Sequence, residues 1–171
     1  MEKDIKGVKI QEGFYEGAVV DGLPHGKGKL TFGNQCGYYE GEFECGLFHG
    51  RGFLEMPLFL CLEGVFCKQN FIKGKAIYYS PEFACAGLEV GTVYEGNFED
   101  FLIVGSGKLT RPNGEVYEGE FQNAKPHGKG RLIRPDGSVK EVTYTDGIED
   151  YEYTDDDYEN CGGDARFLFK N

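Results

Sequence analysis

The chain has 171 residues and a formal net charge of −11, which is long enough for one core and too negative to favour a nucleic-acid backbone. No run approaches the roughly 20 apolar residues that a bilayer-spanning helix needs. The opening Met1-Glu2-Lys3-Asp4-Ile5-Lys6 is charged where a signal peptide would be apolar, so a cytoplasmic location is expected.

One phrase recurs along the chain. Tyr15-Glu16-Gly17 leads to Gly26-Lys27-Gly28, and Tyr39-Glu40-Gly41 leads to Gly50-Arg51-Gly52. Leu62-Glu63-Gly64 diverges: it reaches Gly74-Lys75-Ala76 only with a one-residue shift and runs on through an insertion at 80–93. Tyr94-Glu95-Gly96 and Tyr117-Glu118-Gly119 restore the pattern with Gly105-Ser106-Gly107 and Gly128-Lys129-Gly130, and a half unit at 140–147 puts Tyr144 in the place of Phe121. A repeat of this period means an array in which each unit buries its apolar face with its neighbours' help.

Within a unit both halves alternate with the period of a strand. Pairing them as a hairpin with Phe121 opposite Gly128 sets Tyr117 against Leu132, Gly119 against Gly130, Glu118 against Arg131 and Glu120 against Lys129. The same arithmetic sets Tyr15 against Leu30, Gly17 against Gly28 and Glu16 against Lys29, with Phe43 against Gly50 and Glu42 against Arg51. One face is then aromatic, with glycines that leave room for rings, and the other carries opposite charges. Pro112-Asn113-Gly114 and Pro135-Asp136-Gly137 suit three-residue hairpin loops with a bulge between units. The expected fold is all-β: a single-layer twisted antiparallel sheet of tandem hairpins over residues 1–147, open-ended, followed by an acidic tail at 148–171 that can cap it.

These units resemble the MORN repeat, whose consensus runs YEGxFxxGxxHGxGxLxxxxGxx. The units at Tyr15, Tyr39 and Tyr117 match with His25-Gly26, His49-Gly50 and His127-Gly128, while the unit at Tyr94 has Val104 where histidine is usual. The resemblance implies a scaffold role in cytoskeletal, ciliary or membrane-associated assemblies. It also raises two alternatives: a phosphoinositide- or membrane-binding module, or the targeting portion of a larger MORN-containing enzyme.

Chemistry is hard to find in the residues themselves. With two strands per unit, His25 and His49 stand on the order of 10 Å apart, too far to share a metal, so each is read as a cap on its hairpin loop. Val104 to Leu109 lacks the first glycine and the hydroxyl of a phosphate loop. Asp155 to Glu159 lacks the glycine and the bidentate glutamate of a calcium loop. The six cysteines form no C-x-x-C pair and are read as free thiols. No catalytic residue, metal site or cofactor is expected.

What remains is a surface. A one-layer sheet cannot cover its own apolar face, so Tyr15, Tyr39, Phe43, Tyr94, Phe98, Tyr117 and Phe121 are the candidate groove aromatics for a protein or peptide partner, with hairpin packing as the competing role. Membrane phospholipid is disfavoured by the net charge, and no nucleic-acid partner is expected. Two further places draw attention: the apolar run Met56 to Leu62, read as a nearly continuous strand, and the apolar insertion Pro81 to Leu88. In the tail, residues 146–171 hold nine acidic side chains against two basic ones, yet Phe167-Leu168-Phe169 is apolar enough to dock.

Overall fold

The computed structural model describes residues 3–10, 13–33, 37–80 and 88–150. Among them the strands run β1 Lys3–Ile10, β2 Gly13–Val20, β3 Leu23–Phe32, β4 Tyr38–Glu44, β5 Leu47–Met56, β6 Leu60–Cys67, β7 Asn70–Tyr78, β8 Val93–Glu99, β9 Leu102–Thr110, β10 Val116–Gln122, β11 Lys125–Ile133, β12 Val139–Thr145 and β13 Ile148–Glu149. They form one open antiparallel sheet in strict sequence order, with no helix among the described residues. The all-β tandem-hairpin expectation holds. β1 adds a strand ahead of the first unit, and β13 carries the sheet two residues past 147. The tail beyond Asp150 lies outside the described residues, as do Pro81 to Gly87 of the insertion.

Register bears out the first half of each hairpin and corrects the second. Tyr117 faces Leu132, Glu118 faces Arg131 and Gly119 faces Gly130, but Glu120 then faces His127 and Phe121 faces Pro126. Phe43 likewise faces Phe48 and Glu42 faces His49. Two residues bulge from the second strand at this point, and the first glycine of each Gly-x-Gly pair makes the bulge possible. Gly26, Gly50, Gly105 and Gly128 sit at φ 64°, 57°, 63° and 67°, the left-handed conformation that glycine adopts without steric cost. For three of the phenylalanines the opposite glycine belongs to the preceding unit: Phe43 faces Gly26, Phe66 faces Gly50 and Phe121 faces Gly105.

The bulge shortens the connection to two residues. Asp21-Gly22, Cys45-Gly46, Lys68-Gln69, Asp100-Phe101, Asn123-Ala124 and Asp146-Gly147 all have positive φ at both positions, the type I′ geometry whose twist matches paired strands. Each turn is stitched to the hairpin before it in several units: Gly46 N–H donates to the Pro24 carbonyl at 2.9 Å, Ala124 to Ile103 at 3.1 Å and Gly147 to Pro126 at 2.9 Å. Between units the three-residue loops appear as expected, with Gly114 and Gly137 at φ 86° and 84° and hydrogen bonds from Arg111 N–H to Glu115 and from Arg134 N–H to Ser138.

The expectation of a continuous strand from Met56 to Leu62 is corrected. Facing pairs Gly52–Gly64 and Met56–Leu60 leave Pro57, Leu58 and Phe59 to reverse the chain, with Phe59 N–H bonded to the Met56 carbonyl at 2.9 Å. Leu58 projects into solvent at 79% exposure. Apolar composition hid a turn in which proline holds its usual first turning place.

Candidate functional site

The tyrosine of each unit lies over the two facing glycines. A β-carbon on Gly28 would come 2.3 Å from the Tyr15 hydroxyl oxygen, one on Gly107 would come 2.3 Å from that of Tyr94, and one on Gly130 would come 2.4 Å from a Tyr117 ring carbon. The ring therefore rests on bare backbone, and its hydroxyl reaches the carbonyl three residues on: Tyr15 to Ala18 at 2.8 Å, Tyr39 to Glu42 at 3.0 Å, Tyr94 to Asn97 at 3.4 Å and Tyr117 to Glu120 at 3.3 Å. Burial, with Glu42 nearby, pushes the Tyr39 hydroxyl up to about 12, and burial does the same for Tyr94.

Phe43 and Phe121 then each stand edge-on between two such tyrosines. Phe43 lies 5.1 Å from both Tyr15 and Tyr39, and Phe121 lies 5.1 Å from Tyr94 and 5.3 Å from Tyr117; Phe98 bridges Tyr94 at 5.1 Å and Phe71 at 4.7 Å. Edge-to-face pairs of this kind contribute about 0.5–1.5 kcal/mol beyond burial. Tyr15, Tyr39, Phe43, Tyr94, Phe98, Tyr117 and Phe121 are all 0–5% exposed. The structure brings these seven together as a ring stack that joins the hairpins, and none offers an open ring to a partner.

The divergent third unit uses the same device with other residues. Gly64 faces Gly74, Leu62 takes the tyrosine's place, and the Phe71 ring closes over Gly74, where a β-carbon would meet it at 2.9 Å. One residue bulges here instead of two, which is the one-residue shift seen in the sequence.

The opposite face carries a ladder. Glu16, Lys29, Glu40, Phe53, Glu63, Lys75, Glu95, Lys108, Glu118, Arg131 and Glu141 are successive cross-strand neighbours. Acid and base alternate except at Phe53. Contacts run from Lys29 to Glu40 at 3.2 Å, Lys108 to Glu118 at 3.6 Å and Arg131 to Glu118 at 2.8 Å. Bases paired in this way are poorly disposed toward an anionic surface.

Among the described residues the ring stack ends at Tyr144. It occupies the phenylalanine place, facing Gly128 as Phe121 faces Gly105, and takes the Tyr117 ring edge-on at 5.3 Å. On its other side the half unit has Lys140 where a tyrosine belongs and Val142 where a glycine belongs, and Lys140 pairs with Glu149 at 2.5 Å. Beside Tyr144 a cavity of about 500 Å³ opens on the ring-bearing side, floored by Leu88, Leu109 and Pro126 and rimmed by Arg111, Lys125 and Ile148. Thr92 also lines it; its hydroxyl is buried and makes no hydrogen bond among the described residues. Sequence reasoning placed the groove along the whole stack. The opening beside Tyr144 coincides with the broken repeat at 140–149.

Among the described residues no group of His, Cys, Asp or Glu is placed to hold a metal ion. His49 Nδ1 lies 3.3 Å from a Glu44 oxygen across its own turn, and His127 Nδ1 accepts the Asp146 N–H at 3.4 Å from the next unit's turn. Cys45, Cys61 and Cys67 are free thiols. No helix among the described residues is long and apolar enough to cross a membrane.

A comparison with curated proteins finds no match. The family model of the MORN repeat matches residues 15–37, 39–57, 94–116 and 117–139, which are the four units whose tyrosine lies over paired glycines; together these matches span just over half of the chain, and the chain belongs to the MORN-repeat family.

Proposed function

We propose that this protein is a non-catalytic interaction scaffold that receives a protein or peptide segment in the cavity beside Tyr144, within a cytoplasmic assembly. The observation that carries the reading is the end of the ring stack. The seven candidate groove aromatics are covered by one another, whereas at Tyr144 an apolar floor and a few polar rim groups face an opening of about 500 Å³. That size and mixture suit anchoring side chains of a partner. The sheet supplies rigidity, since turns, loops and rings are all tied to neighbouring units.

The test is site-resolved capture. A photo-crosslinking residue in place of Ile148, at the rim, should attach a defined partner from a cell lysate, and one in place of Glu95, on the ladder, should not. Attachment from the ladder position alone would overturn the reading.

A further inference from the structure

From β7 to β12 the charge ladder reads Lys75, Glu95, Lys108, Glu118, Arg131 and Glu141, a base on each odd strand and an acid on each even one. Two residues along each strand, on the same face, runs a second row: Ile77, Val93, Thr110, Val116, Ile133 and Val139. The first five are half-buried and Val139 is 56% exposed. All thirteen strands lie in one sheet, so among the described residues no second layer covers this apolar stripe. Leu88, the described end of the insertion, packs toward the ring-bearing core instead. An alternating row of charges has one further property. Turned end for end about a point between two strands, it sets every acid on a base; turned about a point on a strand, it sets like on like.

We propose that this face pairs with the same face of a second copy of the chain, about a two-fold axis parallel to the strands and midway between β9 and β10. Such an interface uses one patch on both copies, so each contact occurs twice. Lys108 meets Glu118, Glu95 meets Arg131 and Lys75 meets Glu141 of the other copy. The stripe meets itself as Thr110 on Val116, Val93 on Ile133 and Ile77 on Val139. The row beyond the ladder, where Lys73 neighbours Asn97, Ser106 neighbours Glu120 and Lys129 neighbours Thr143, also opposes itself without a like-charge pair: Lys73 on Thr143, Asn97 on Lys129 and Ser106 on Glu120. An axis on β9 would set Glu95 on Glu118 and Lys75 on Arg131, and like charges so placed select against that register. Three rows across six strands present roughly 29 by 20 Å, about 1,200 Å² over both copies, the lower end of stable interfaces. The cavity beside Tyr144 stays outward on each copy, so this pairing stands apart from the proposed partner site.

Sedimentation of the full chain should show a mass that rises toward twice that of one chain on concentration. Glu118→Lys alone brings two like-charge contacts with Lys108 of the other copy, and Lys108→Glu alone does the same with Glu118. Each variant should weaken the pair at least about tenfold, the equivalent of about 1.4 kcal/mol. Mixed one to one, the two variants should pair again, because the reversed positions then face each other and so do the native ones. Mixing leaves the ladder within each chain as it was, so recovery reports the contact between copies and shows that both variants fold. A chain that stays single at every concentration, a pair indifferent to either reversal, or reversals that mixing does not rescue would overturn the proposal. A second measurement needs no charge change. Benzoylphenylalanine in place of Val116 should, on irradiation, link to peptides from 102–110 of a second, isotope-labelled copy. No link between copies, or links only to β1–β6 or to another protein, would overturn it. A link from Glu95 to a second copy is this pairing and leaves the partner site beside Tyr144 to its own test.

Discussion

Tyr39 lies against Gly52 so closely that a β-carbon there would stand 2.2 Å from the hydroxyl oxygen and 2.5 Å from ring carbons. Gly52 has an ordinary extended conformation, so its requirement for glycine is purely steric. Gly52→Ala should destabilise the sheet by about 3 kcal/mol, the upper end of overpacking losses. Gly22→Ala is the contrasting case, because Gly22 has φ 82° but no atom within 4 Å of the added carbon, and the left-handed conformation alone costs about 1–2 kcal/mol. Urea unfolding of both variants checks this; equal losses would mean that ring contact is not what fixes the second glycine.

Turn chemistry gives a stabilising change. Phe101 holds φ 63° at the second position of its two-residue turn, where the equivalent Gly22, Gly46 and Gly147 have φ 82°, 82° and 84°. Its ring is 45% exposed, so little packing is lost with it. Phe101→Gly relieves about 1–2 kcal/mol of left-handed strain and adds about 0.5–1 kcal/mol of unfolded-chain entropy, for a net gain of about 0.5–1 kcal/mol. The urea midpoint should rise with its slope unchanged.

Much of this was legible in the sequence because parity survives repetition. Tyr117, Gly119, Leu132 and Gly130 share a face by counting alone. Counting failed where residues leave the ladder: the bulge at Gly128 could not be told from a longer loop, although Asp21-Gly22 and Asp146-Gly147 are two-residue turn signals that would have located it. The burial of the candidate groove aromatics was not legible for a related reason. Burial depends on neighbours, and only the assembled stack shows that Phe121 is covered from both sides while Tyr144, next to Lys140 instead of a tyrosine, has one ring neighbour among the described residues.

Alkaline pH should unravel the stack in a defined window. Tyr39 and Tyr94 have hydroxyls near 12 in the folded chain against 10.0 for the free group. A raised folded value means that the stabilisation is complete below pH 10 and is lost as pH rises toward 12, because the unfolded chain gives up these protons first. Each such tyrosine should lower stability by about 1.4 kcal/mol per pH unit in that interval. Tyrosinate absorbance should show a late-titrating class that becomes ordinary in urea. A single ionisation step near 10, with stability flat to pH 11, would contradict the buried-hydroxyl account.

The charge ladder makes its own prediction at Glu118, which lies 2.8 Å from Arg131 and 3.6 Å from Lys108 on the strands to either side. Its side chain is 29% exposed and those of its partners 55% and 49%, so water screens both pairs and each contributes only about 0.2–1 kcal/mol. Glu118→Gln should therefore cost about 1 kcal/mol or less. Glu118→Lys converts two attractions into two repulsions in a row of three bases and should cost about 1–2 kcal/mol at low salt. Raising the salt to 1 M shrinks the screening length from about 10 Å at 0.1 M to about 3 Å, and the loss should fall by roughly half. Gly52→Ala, whose cost is contact with a ring, should keep its full size across the same salt series. If the Glu118→Lys loss is also indifferent to salt, the ladder is not an electrostatic device, and its alternation would instead reflect strand packing alone.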